Sequence, residues 1–227
     1  MGHAKYFVGV LLLMLACGVD RLDKYTPNSD RVTIQGNYDN GQPSGEWVYW
    51  TDLDSVKVRW TPIQVANVKL SLPDNLRINE NARYPFLFQG DFVDGDKNTY
   101  MALLRYDLGK LKKSDYDYLA ELHRYMKSDS SVVLESMDFK KLTYKDAIVY
   151  RATFDTRSSK SYRGTSYIFV ANNMLYDLAY KRVIERTEAI SDLIFKDVLY
   201  GMECDGVDLH AYSKGKFVKE EKVTFND

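Results

Sequence analysis

Three long runs lie almost end to end in the second half of the chain: Ser131 to Leu142, Asp146 to Asp155 and Ser161 to Ala171. They are joined only by Thr143-Tyr144-Lys145 and by Thr156 to Lys160. A parallel crossover needs a dozen or more residues, so connections this short force neighbouring strands to run antiparallel. In the second run Ile148, Tyr150, Ala152 and Phe154 share one face, with Arg151, Thr153 and Asp155 on the other, as the period of a strand requires. Asn172-Asn173 supplies the next turn, and Met174 to Tyr180 returns as a fourth strand. Whatever else the chain builds must be arranged around this meander.

Upstream, Val68 to Leu72 reads as a strand stopped by the turn Pro73-Asp74-Asn75. Thr99 to Tyr106 alternates Tyr100, Ala102, Leu104 and Tyr106 against Met101, Leu103 and Arg105, so both faces of this strand are at least partly covered. Ser114, with Asp117 three residues on, opens a helix by a capping box, and Tyr116, Leu119, Leu122 and Met126 are spaced for one buried stripe. A second helix is expected from about Val183 to Phe195, with Ile190, Leu193 and Ile194 inward, followed by a closing strand, Val198 to Cys204. This order, opening on Ser71-Leu72-Pro73, resembles the Mog1/PsbP-like fold over about Val65 to Cys204. The resemblance implies an α+β fold, an antiparallel sheet meander covered by helices. It implies members that mostly bind proteins or act as assembly factors and chaperones. No catalytic residue carries over, because the group has no shared catalytic motif.

A separate pattern lies at residues 31–62. Two aromatic-rich stretches, Arg31 to Tyr38 and Glu46 to Trp50, flank Asn40-Gly41, a strong hairpin signal because both residues tolerate positive φ. The spacing of Gly36, Tyr38, Gly41, Gly45 and Trp47 resembles one MORN-type repeat, with a degraded continuation in Asp52 to Trp60. A single repeat buries little unless it packs on another surface, so this hairpin unit is expected to be structural.

The first sixteen residues carry one charge, Lys5, and an apolar run from Tyr6 to Ala16. That run, about eleven residues, is too short to cross a bilayer core and reads as an export signal that is removed. Met14-Leu15-Ala16-Cys17 resembles the processing box of a bacterial lipoprotein, which implies acyl chains, palmitate among them, on Cys17. Gly18 after the cysteine implies delivery to an outer membrane, on either its periplasmic or its surface face. Myristoylation is set aside because Tyr6 stands where that motif needs Ser or Thr. Gly18 to Asp30 is polar and aperiodic, as suits a stalk. The expected organisation is a signal peptide at 1–16, a lipidated stalk at 17–30, a hairpin unit at 31–62, a main domain at 65–204 and a tail at 205–227.

With 31 basic and 32 acidic residues the chain implies no nucleic-acid partner. Lipidation of Cys17 leaves Cys204 without a disulfide partner, so Cys204 is expected to act as a small buried hydrophobe. Histidine occurs outside the signal only at His123 and His210, without ligand spacing, and no metal or cofactor is expected. There is no nucleophile elbow and no Gly-rich phosphate loop. Asp91, Asp94 and Asp96 invite comparison with a calcium loop, yet no distal Glu follows them, which favours a solvated loop. His123 flanks the apolar stripe of its helix and reads as a boundary residue rather than a general base.

Two surfaces remain as candidate partner-binding sites. One is the aromatic set Tyr38, Trp47, Tyr49, Trp50 and Trp60. Alternation along Trp47 to Trp50 means that both faces of this strand cannot enter a single core, and exposed Trp and Tyr are typical interface anchors. The other is the tail, which reads equally as a short strand pair, a disordered end or a segment that orders on a partner. The expected function is a non-enzymatic, lipid-anchored cell-envelope protein acting as a protein-binding or assembly module. The alternative is a secreted hydrolase or small-ligand binder with its site between the hairpin unit and the sheet.

Overall fold

The structure, a computed structural model, describes residues 33–50, 55–79, 83–92, 100–144, 147–184, 188–209 and 217–225. The signal and stalk, including Cys17, lie outside the described residues, as do Asp94, Asp96 and His210.

Asn40 and Gly41 take φ of 51° and 83° and join β1 (Thr33–Asp39) to β2 (Gln42–Trp50) in the expected antiparallel hairpin. The hairpin is the start of a larger sheet. β2 pairs with β3 (Ser55–Val65), which turns at Ala66 and Asn67 into β4 (Val68–Pro73). The division expected between residues 62 and 65 therefore falls inside a hairpin. The reason is burial: Trp47, Tyr49, Val58 and Trp60 on one face of β2 and β3 join Val68, Leu70 and Leu72 of β4 in one core.

Asp74 and Asn75 then carry the chain into a second sheet through β5 (Leu76–Ile78), β6 (Phe86–Phe92) and β7 (Tyr100–Asp107). A short helix, α1 (Leu108–Leu111), leads to α2 (Asp115–Ser128). The meander follows as β8 (Val133–Tyr144), β9 (Ile148–Arg157), β10 (Ser161–Ala171) and β11 (Met174–Val183). After α3 (Glu188–Tyr200) come β12 (Glu203–Cys204), β13 (Val207–Asp208) and β14 (Phe217–Lys222). The strand order is β1-β2-β3-β4-β12-β13 in one sheet and β14-β8-β9-β10-β11-β7-β6-β5 in the other, with every pairing antiparallel. The described residues are thus mostly strand, with two longer helices. α2 carries it across the sheet from β7 to β8, and the meander works back until β11 pairs with β7.

Each face of the eight-stranded sheet has its own core. Ile168 and Leu175 pack with Leu119 of α2, Phe139, Ala152 and Phe154. Tyr167, Phe169, Tyr176 and Leu178, one residue out of phase, pack instead with Ile190, Leu193, Ile194 and Val198 of α3 and with the six-stranded sheet. Phe195 stacks on Tyr180 with centroids 5.0 Å apart and meets Tyr167 at 5.5 Å. α3 is therefore an internal layer between sheets. Cys204 is fully buried in this core, and burial pushes its thiol far above the usual range.

Two boundaries and one helix face differ from the sequence expectation. β11 runs on to Val183, which pairs with Tyr162, so the late helix begins at Glu188 rather than Val183. Val198 and Leu199 continue the helical stripe of Leu193 and Ile194 and are buried on α3, which shortens the closing strand to Glu203–Cys204. On α2 the Ser114–Asp117 capping box forms as expected, whereas Tyr116 stays 47% exposed and Tyr118 turns inward in its place. The tail supplies an edge strand: β14 pairs with β8, and Phe225 packs against Phe139 with centroids 5.0 Å apart.

Candidate functional site

The aromatic residues expected to face a partner divide by strand face. Trp47, Tyr49 and Trp60 are 2%, 0% and 2% exposed, so three of the five belong to the core, with Trp50 half-buried and Tyr38 partly exposed. Trp47 donates its indole N–H to the carbonyls of Asn37 and Ser44, both at 3.1 Å, and meets the Tyr38 ring edge-on at 4.9 Å. Gly36 makes this possible, since a Cβ there would overlap the Trp47 indole. Tyr49 and Tyr38 both donate to Asp197 of α3, at 2.7 and 3.1 Å. Between the hairpin and the main sheet, where a ligand cleft was the alternative expectation, these side chains share one core with α3. Asp91 is exposed on β6, and His123 lies against Phe225 and Phe139, with centroids at 4.7 and 5.9 Å.

A cavity of about 520 Å³ lies instead on the opposite face of the eight-stranded sheet, under α2. The Ser114 cap fixes where α2 begins, and its inner side presents Tyr118, Leu122 and Met126 to the cavity. β7 contributes Tyr100 and Leu104, β10 Ser166, and β11 Asp177. The walls are mainly apolar and aromatic, which is usual for a site that takes a small molecule, and the volume lies within the usual range.

Asp177 is the unusual member. It is 4% exposed and sits in an otherwise apolar stretch, Leu175-Tyr176-Asp177-Leu178-Ala179. Tyr118 donates its hydroxyl to Asp177 Oδ2 at 2.7 Å. Oδ1 is buried, and besides Tyr118 only the Ser166 hydroxyl attends the carboxyl among the described groups. Burial pushes the carboxyl up to about 6, with the hydroxyls of Tyr118 and Ser166 pulling the other way. Tyr118, Tyr106 and Tyr100 are all raised, each first by burial and further by the charge on Asp177, so they are neutral hydrogen-bond donors at physiological pH. Asp129 and Lys181 also border the cavity. No histidine or cysteine lines it, and among the described residues no three His, Cys, Asp or Glu side chains gather as a metal site. Sequence reasoning passed over Asp177. The available signal was a lone carboxylate at an inward position of a strand in the middle of the sheet.

No family model matches the chain, and no curated protein matches it. Among solved structures it is similar to cyanobacterial PsbP (CyanoP) from Synechocystis sp. PCC 6803 at 9% identity, covering 65% of this chain and 92% of that one, with a TM-score of 0.46. A protein from Bacteroides thetaiotaomicron is 11% identical over 64% of this chain and 47% of its own, with a TM-score of 0.32. A Pseudomonas aeruginosa protein of unknown function is 11% identical over 59% of this chain and 90% of its own, with a TM-score of 0.34. At these identities and TM-scores the likenesses establish neither a family nor an activity.

Proposed function

We propose that this chain is a non-enzymatic, lipid-anchored protein of the bacterial cell envelope that works as a binding or assembly module, and that the cavity under α2 is where it binds. The observation that carries the binding role is the cavity itself: about 520 Å³, walled by Leu104, Leu122, Met126 and Phe154, with one buried carboxylate on its sheet side. Such a site orients a ligand through one or two polar groups while apolar contact supplies affinity. The small-ligand form of the reading has this cavity in its favour, at a different place from the cleft first expected between hairpin and sheet. The Mog1/PsbP-like character of the main domain belongs to the same proposal. Its support is the element order of β4, α2, the four-stranded meander, α3 and a last short strand.

The envelope address rests on the Met14-Leu15-Ala16-Cys17 box and the polar stretch after it, with Gly18 favouring the outer membrane. Among the described residues no helix is long and apolar enough to cross a membrane, and the attachment in this reading is an acyl tether. Intact-mass measurement of the membrane-extracted protein tests the address. Wild type should carry an acyl-glycerol mass on Cys17, and Cys17→Ala should be soluble or unprocessed. A cleaved, unacylated and soluble wild type would refute the anchor. The binding role is tested separately by crosslinking in native membranes, where recovery of neither a ligand nor a partner refutes it.

A further inference from the structure

The reading of the cavity as a binding site leaves open what it accepts. The answer lies in the uncompensated charge of Asp177. Oδ2 accepts from Tyr118, and the Ser166 hydroxyl also attends the carboxyl, so two neutral hydroxyls serve it. A buried carboxylate without a cation is costly, and native proteins rarely keep one without a use. No lysine or arginine of the described residues forms an ion pair with Asp177. From the elements around it the groups that face it are Tyr118 of α2, Tyr100 and Tyr106 of β7 and Ser166 of β10, all uncharged. The charged residues bordering the same space are Asp129, at the end of α2, and Lys181, which lies over the Tyr162 ring at 4.7 Å.

Resting on that reading, we propose that the cavity takes a small amphipathic cation: an organic amine whose ammonium group pairs with the Asp177 carboxylate and whose apolar or aromatic body lies against Leu104, Leu122, Met126 and Phe154. An anion would meet the negative charge of Asp177 head-on. A neutral molecule would leave that charge uncompensated. An ammonium group supplies the missing charge together with hydrogen-bond donors, in a space that Tyr100 and Tyr118 also line. The space is ample for a one-ring or two-ring amine.

Calorimetric titration of the purified protein near neutral pH tests this, with tryptamine as the cationic probe and tryptophol as its neutral counterpart. Tryptamine should bind wild type roughly tenfold or more tightly than tryptophol, the difference expected of a charge-assisted bond in a buried site. Asp177→Asn should bring the two probes to within about twofold of each other, while Leu122→Trp, which fills the cavity, should abolish both. The wild-type comparison needs no variant, so the test survives any folding defect. Equal binding of the two probes to wild type, lost in Leu122→Trp, would overturn cation recognition and leave the cavity as a binding site. Absence of binding by either probe, or binding that survives Leu122→Trp, would overturn the inference and the cavity reading together.

Discussion

Replacing Asp177 by asparagine isolates the cost of keeping a carboxylate under α2. Its carboxyl is raised from 3.8 to about 6 in the folded chain, chiefly by burial. Between those values the folded state holds a proton that the unfolded state has lost, so stability falls as pH rises through this window. Each tenfold change in the proton equilibrium is worth about 1.4 kcal/mol, and the wild type should therefore lose about 2–3 kcal/mol at this site between pH 4 and pH 8. Asparagine does not titrate. Its amide adds an offset that is the same at every pH, from the Tyr118 bond it keeps and the N–H groups it must place. The carboxylates with lowered values, among them Asp117, Asp129, Asp155, Asp205 and Glu220, push stability the other way in both proteins and cancel in the difference. Urea unfolding of both proteins across this range should give a stability difference that shifts by about 2–3 kcal/mol in favour of Asp177→Asn as pH rises. A difference that stays flat with pH, or moves towards wild type, would refute the reasoning.

Three further outcomes follow from the packing. Gly36→Ala should force the Trp47 indole out of place and cost about 1–3 kcal/mol, read as a lower urea midpoint at unchanged slope; an unchanged midpoint would mean that the sheet absorbs the extra carbon freely. Asp197→Ala removes the acceptor of two tyrosine hydroxyls, one of them on fully buried Tyr49, and should cost about 1–3 kcal/mol. Tyr49→Phe in that background should recover part of the loss, and a further loss would count against an orphaned hydroxyl. Phe225→Ala should lower the thermal midpoint by the equivalent of about 1–2 kcal/mol, less than a fully buried Phe would cost, and no shift would show that β14 is held by its backbone pairing alone.

Local chemistry makes parts of this chain legible in its sequence. The meander follows from connections too short for a crossover, the first hairpin from Asn40-Gly41, and the start of α2 from Ser114 and Asp117. Each of these depends on residues within a few positions of one another. The alternation in β7 and β9 also held, because a strand covered on both faces shows its period in side-chain type. The boundary between β11 and α3 was not legible in the same way. Val183 is a strand residue because Tyr162 lies opposite it, and Val198 is helical because α3 is buried between two sheets, where apolar residues on several sides of a helix read like a strand.

What only the tertiary structure decided is where the surfaces meet. Alternation along Trp47 to Trp50 showed that one face had to turn inward, but it was α3, whose Asp197, 148 residues away in sequence, receives the Tyr49 hydroxyl and settles which face that is. Asp177 likewise passed unnoticed within an apolar strand, because a carboxylate becomes a site only through what surrounds it. Tyr118 is 59 positions away and Ser166 lies on the neighbouring strand, and no local pattern links them. The sequence by itself determined the antiparallel pairing, the turns and the helix cap, since these are short-range consequences of chain geometry and backbone hydrogen bonding. Burial is a long-range quantity, and so the core, the cavity and the raised carboxyl within it were decided by the folded structure alone.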